Sequence, residues 1–152
     1  MAKNQEKPLE NAPKFKLSGL YVKDISFENP QAPGVFLTES AAKPGMGVGV
    51  DVNIGKLRDN AYEVALRVTA KADGEGKALF LVEVVYAGLF IINPELKAEE
   101  HDKILLVECA SVIFPFARRL IADLVQEGGF PALLLEPINF EAIYNSRKAQ
   151  AA

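Results

Sequence analysis

The sequence predicts an α+β domain in which a four-stranded antiparallel sheet, a meander with a crossover after its first strand, packs against C-terminal helices. Two observations carry this expectation. Four segments between Phe15 and Ile92 are rich in apolar residues at alternate positions, the period of β-strands. Beyond Asn93-Pro94 the apolar spacing changes to three and four residues, which gathers those side chains on one face of a helix.

The first strand spans Phe15 to Glu28. Its odd positions Phe15, Leu17, Tyr21, Ile25 and Phe27 are apolar, whereas Lys16, Ser18, Asp24, Ser26 and Glu28 are polar. Side chains alternate across a strand, so Asp24 and Glu28 share the wet face, roughly 13 Å apart at about 3.3 Å per residue. Pro30, Pro33 and Gly34 then force a turn or crossover, with Val35-Phe36-Leu37 as a short apolar run inside it.

Val48, Val50, Val52 and Ile54 supply the alternating apolar set of a second strand, and Tyr62, Val64, Leu66, Val68 and Ala70 that of a third. The short links 55–60 and 73–76 carry turn residues, so hairpins join strands two, three and four. The fourth strand, Lys77 to Ile92, is apolar on both sides. Phe80, Val82, Val84, Tyr86, Phe90 and Ile92 occupy one face; Leu79, Leu81, Val85, Leu89 and Ile91 occupy the other, with Glu83 among them. The even face is expected under helices and part of the odd face against a partner, the alternative being a central strand buried twice within one chain.

Helices are expected over 96–109 and then through Pro115 to Gly128-Gly129. Pro115 has no N–H to donate, so it marks a new helix start or a kink. Ile113, Phe116, Leu120, Leu124 and Val125 form one wide apolar stripe. After an apolar loop bracketed by Pro131 and Pro137, Asn139 offers an N-cap to a final helix bearing Phe140, Ile143, Tyr144 and Arg147. Residues 1–14 read as a flexible N-terminal segment, 15–145 as the folded domain and 146–152 as a fraying tail.

Composition then narrows the function. With 152 residues, 49% of them hydrophobic and 24% charged, the chain fits one globular domain. A net charge of −3 gives no cationic footprint for nucleic acid or anionic lipid, and no apolar run is long enough for direct membrane insertion. The lone Cys109 reads as a small buried hydrophobe in a reducing, cytoplasmic setting.

Chemistry is hard to assemble from what remains. His101 is the single histidine, and its neighbour Asp102 points to another side of a helix, so the two cannot serve one substrate atom. Zinc needs more ligands than one His and one Cys. Gly45, Gly47 and Gly49 lack the third spaced glycine and the following helix of a dinucleotide loop, and read as strand glycines. No catalytic residue, metal or cofactor is expected, and so no enzyme.

Four blocks in order carry a resemblance: Tyr21-Val22-Lys23-Asp24-Ile25-Ser26-Phe27-Glu28, Ile113-Phe114-Pro115-Phe116-Ala117-Arg118, Gly128-Gly129-Phe130-Pro131, and Pro137-Ile138-Asn139-Phe140-Glu141-Ala142-Ile143-Tyr144. Together they resemble the SecB family of bacterial protein-export chaperones. The resemblance implies a homotetramer, a dimer of dimers, that holds unfolded precursor polypeptides without ATP and passes them to the export ATPase SecA. It implies SecA binding through Asp24, Glu28, Leu81 and Glu83. A groove for unfolded polypeptide is implied at Phe27, Phe36, Phe116, Phe140 and Tyr144, with Val50 and Val52 as its floor. Assembly between dimers is expected to be most sensitive at Phe80, Val82, Val84 and Tyr86.

Overall fold

The computed structural model describes residues 12–39 and 43–151. Most of the expected N-terminal segment, residues 1–11, and the last residue of the expected tail, Ala152, lie outside the described residues. Strands β1 (Phe15–Glu28), β2 (Gly45–Arg58), β3 (Ala61–Gly74) and β4 (Lys77–Ile92) form one antiparallel sheet in the order β1-β4-β3-β2. The order is a result of the connections. Asn60 and the pair Glu75-Gly76 take the positive φ of tight hairpin turns, so β2, β3 and β4 run as a meander. Chain 29–44, whose described part includes a 3₁₀ turn at Gly34–Leu37, must then cross from one sheet edge to the other.

The inner face of the sheet holds the core. Val64, Leu66, Val68 and Ala72 of β3 and Val82, Val84 and Phe90 of β4 are buried there beneath Leu105, Cys109, Ile113, Ala117 and Ile121. Burial pushes the Cys109 thiol up to about 12, in keeping with an inert hydrophobe.

Strand β1 departs from simple alternation. Its pairing with β4 slips between Leu17 and Gly19 and again between Val22 and Asp24, where Ser18 and Lys23 are extra residues. Each slip inverts the pleat and the second cancels the first. Phe15, Leu17, Ile25 and Phe27 therefore share the inner face with Leu20 and Val22, while Tyr21 is turned outward, against the expectation from odd-position counting. Asp24 and Glu28 keep the outer face.

The helical region also differs from its reading. From 98 to 127 the chain is helical throughout: α1 (Ala98–Lys103), a π-helical segment (Ile104–Cys109) and α2 (Ala110–Glu127). Pro115 starts no new helix but lies inside α2, and the irregular turns fall upstream of it. An interior proline costs ~3 kcal/mol or more; the burial of Ile113, Phe114 and Ala117 on either side holds the helix through it. The expected single stripe divides in two. Ile113, Phe114, Ala117, Ile121 and Val125 are buried, whereas Val112, Phe116, Leu120 and Leu124, each four residues from the last, form a second ridge that is only partly covered. Asn139 caps α3 (Phe140–Ala151) by accepting a bond from the Ala142 N–H at 3.0 Å, and that helix continues past residue 145 through Ala151.

The sheet is broader than its cover. Four strands at about 4.8 Å spacing are wider than one helix of about 10 Å diameter. Helix α2 accordingly packs on β4 and β3 and leaves the inner flanks of both edge strands partly open. On β1 these are Leu17, Val22 and Ile25; on β2 they are Met46 and Val48.

Candidate functional site

Two concave surfaces stand out, one on each side of the sheet. The outer one is a shallow trough of about 480 Å³ that crosses all four strands and is lined by Glu28, Gly47, Gly49, Lys71, Leu81 and Glu83 among others. Residues Glu28 and Leu81 are direct pairing partners, and Glu83 stands two positions beyond Leu81, so register alone brings these three to one patch. Asp24 stands on the same face, opposite Val85. The four residues implied for SecA docking thus share one surface. Glu83 is held by Arg67 across the β3–β4 pair, whereas Asp24 and Glu28 are exposed and have no ion-pair partner among the described residues.

Farther along the outer face Tyr21 donates to Glu63 at 2.5 Å, and Lys23 pairs with the same carboxylate at 2.8 Å. The Lys23 and Tyr21 hydrogen bonds hold the Glu63 carboxyl below its ordinary value, while partial burial and the adjacent Glu63 push the Tyr21 phenol up to about 12. The sign is fixed for each. The depressed carboxyl contributes stability that is complete above its ordinary value of 4.5 and is lost as pH falls through the lower folded value. The raised phenol contributes stability that is complete below 10.0 and is lost as pH rises through about 12. Urea titrations of the parent and of Glu63→Gln should therefore differ at neutral pH and converge on acidification; a gap that does not narrow as pH is lowered would refute the assignment.

The inner surface is divided. At the end of the sheet where β1 stops, Phe27, Phe80, Phe130 and Phe36 form a chain of rings with successive centroids 6.0, 5.1 and 5.6 Å apart. Gly128 and Gly129 close α2 beneath them. A Cβ on Gly128 would collide with the Phe27 ring, and one on Gly129 would meet the Phe36 ring at 2.7 Å. Gly129 also needs its φ of 89°. Asn29 donates to the Gly128 carbonyl at 2.8 Å, fastening the start of the crossover to the same helix end. Phe36 remains 51% exposed.

At the opposite edge a groove of about 430 Å³ lies between Val48 and Val50 of β2, the 135–138 loop and Ile143 of α3. Arg147 ties α3 to this edge, donating to Asp51 at 2.6 Å and to the Val52 carbonyl at 3.1 Å.

The residues implied for one polypeptide groove are thus distributed. Phe27 and Phe36 meet in the aromatic chain, Val50 lines the β2 groove, and Tyr144 is half-buried on α3. Phe116 stands over Tyr86 of β4, 5.9 Å away and two strands from Val50. Val52 and Phe140 are each 3% exposed and belong to the core, Val52 on the inner face of β2 near the π-helical segment and Phe140 edge-on to Phe114 of α2. The expected assembly face is likewise covered. Phe80, Val82 and Val84 are sealed in the core that α2 shares with the sheet, and only Tyr86 keeps partial exposure. On the odd face of β4, Val85 and Ala87 are buried by neighbouring strands and Leu79, Leu81, Leu89 and Ile91 are half-buried. This central strand therefore lies between the two expectations. Sequence reasoning passed over Phe130, Leu135 and Ile138, whose proline-bracketed apolar run was the available signal.

Among the described residues no group of three or more His, Cys, Asp and Glu side chains is placed to hold a metal. His101 Nδ1 lies 3.1 Å from the Tyr62 hydroxyl, which makes it a packing partner of that ring. No helix of the described residues is long and apolar enough to cross a membrane.

Comparison with known proteins agrees with this geometry. The SecB-like chaperone of Mycobacterium tuberculosis, solved in complex with a ChAD peptide from the HigA1 antitoxin, shares the fold with a TM-score of 0.68 at 14% identity, over 82% of this chain and 91% of that one. The protein-export protein SecB of Paramagnetospirillum magneticum is 43% identical over 94% of this chain and 91% of its own length. That of Caulobacter vibrioides is 48% identical over 90% and 83% respectively. The sequence model of the family described as preprotein translocase subunit SecB matches residues 8–151, and on these grounds the chain belongs to the SecB family of protein-export chaperones.

Proposed function

We propose that this chain is an ATP-independent holdase of the cytoplasm, which binds unfolded precursor polypeptides, keeps them competent for translocation and delivers them to SecA. The observation that carries the proposal is that the helical cover of the four-stranded sheet is incomplete and leaves apolar side chains in water along both flanks. Contiguous apolar surface of this kind associates with other chains. Burial is non-directional, so many client sequences are accepted, and edge strands add backbone hydrogen bonds to extended segments.

The two flanks divide the work. The β2 groove and the exposed part of the aromatic chain face the client. The β1 flank, where Val22 and Ile25 adjoin Tyr86 and the Phe116 ridge of α2, supports assembly of the homotetramer, a dimer of dimers. The acidic outer face, with Asp24, Glu28, Leu81 and Glu83, serves SecA. A single groove gives modest affinity after ordering costs, so several grooves acting on one long client are needed for tight holding.

The test is capture of a urea-denatured precursor diluted into the purified protein without nucleotide. Refolding and aggregation of the client should be suppressed, while the same client in its native form is ignored. Phe36→Asp, at a ring that is 51% exposed, should weaken capture about tenfold by placing a charge on the apolar path. Failure of the parent protein to delay refolding, or equal retention of native and unfolded clients, would sink the proposal.

A further inference from the structure

At the aromatic end of the inner face one polar atom stands without a partner. Asn29 Nδ2 donates to the Gly128 carbonyl at 2.8 Å, but its Oδ1 is enclosed and accepts no hydrogen bond from any described residue. A buried acceptor without a donor opposes folding, so its presence calls for a reason beyond tethering the crossover. Its surroundings are aromatic. The Phe27 ring abuts Gly128, to which Asn29 is tied, and the Phe36 ring abuts Gly129 and leans on Phe130.

This corner offers an acceptor and no donor. The N–H groups of Gly128, Gly129 and Phe130 are spent on the carbonyls of Leu124, Gln126 and Val125 at 3.0, 3.0 and 3.3 Å. An extended backbone laid here would bring a carbonyl with each N–H and leave it unpaired. A side chain that only donates has no such cost. Tryptophan fits that description, with a broad apolar ring, one N–H at its rim and no acceptor. Phe36 marks where such a ring would lie. It is 51% exposed, and the hydrogen bonds around it, Val35 N–H to the Gln31 carbonyl at 2.9 Å and Phe36 N–H to the Pro33 carbonyl at 3.1 Å, stay within the crossover. The Phe36 ring can thus swing aside while those bonds persist.

We infer that Asn29 is a specificity residue for clients, favouring a tryptophan side chain over a hydrocarbon ring at this corner by accepting the indole N–H. This rests on the reading that the aromatic end faces unfolded polypeptide. It adds that capture there discriminates by a polar atom as well as by burial.

The experiment measures binding of an unstructured client peptide to the full-length protein by fluorescence anisotropy. One aromatic position of the peptide carries either tryptophan or benzothienylalanine, in which sulfur replaces the indole N–H and the shape is kept. The parent should bind the tryptophan peptide about tenfold more tightly, and Asn29→Ala should bind the two alike. The comparison on the parent needs no variant, so it stands even if Asn29→Ala loosens the crossover. Equal binding of both peptides by the parent overturns the role of Asn29 and leaves client capture intact, as does a preference that survives in a folded Asn29→Ala. If the parent binds neither peptide, the client-facing reading of this end falls and the role of Asn29 with it.

Discussion

Joint replacement of Asp24 and Glu28 by lysine is expected to weaken SecA binding by about a hundredfold or more while changing client capture by less than about twofold. Both side chains are exposed on the outer face, and neither has an ion-pair partner among the described residues, so reversal breaks no internal bond. Like charges placed against a complementary partner surface cost several kcal/mol, and roughly 2.7 kcal/mol corresponds to a hundredfold. The flanks proposed to face the client lie on the opposite side of the sheet, which is why the two activities should separate. Surface binding kinetics at two ionic strengths would check it. The loss should appear in the association rate and the parent's affinity should fall with salt. Equal loss of both activities would mean that the two faces are wrongly divided.

Phe90→Ala is expected to lower unfolding free energy by about 3–5 kcal/mol, the range for emptying a fully enclosed aromatic site. Phe90 is completely buried in the central strand, edge-on to Phe15 at 5.6 Å, and Tyr62 of β3 is its pairing partner. Its loss leaves a cavity shared by three of the four strands. Urea unfolding at one fixed protomer concentration would measure the effect, since the proposed assembly would make apparent stability depend on concentration. Phe36→Ala, at an exposed ring, should cost far less. A loss below about 1 kcal/mol at Phe90 would contradict the burial described.

Much of the fold was legible in the sequence because strand periodicity is a strong signal. Alternation alone marks Phe15–Glu28 and Lys77–Ile92 with the bounds the structure has, and it locates β2 and β3 with ends that extend a few residues farther into their hairpins. The pleat of β1 was not legible. A bulge adds one residue without changing composition, and Tyr21, apolar in its ring and polar at its hydroxyl, satisfies either face. Pro115 misled for a different reason, since a helix embedded in a core tolerates a local defect that an isolated helix would not.

The outer patch was foreshadowed by parity and by resemblance together. The inner site was harder to read, because burial depends on which elements close over a residue. Val52 and Val50 have the same alternation, yet Val52 is 3% exposed in the core while Val50 lines the open groove beside Ile143. Phe80, Val82 and Val84 were expected under helices from their parity, and the structure buries them there; what the sequence left open is how completely α2 seals the row.

The paired bulges of β1 bear finally on how this strand can change without harm. Ser18 and Lys23 are surplus to the ladder, so removing either one straightens the strand locally and leaves every remaining residue opposite its present neighbour on β4. Dropping Leu20 instead would turn a stretch of the strand inside out. Shortening of β1 is thus absorbed at two positions and not between them, and Lys23, surplus to the ladder, pairs with the Glu63 carboxylate across the sheet.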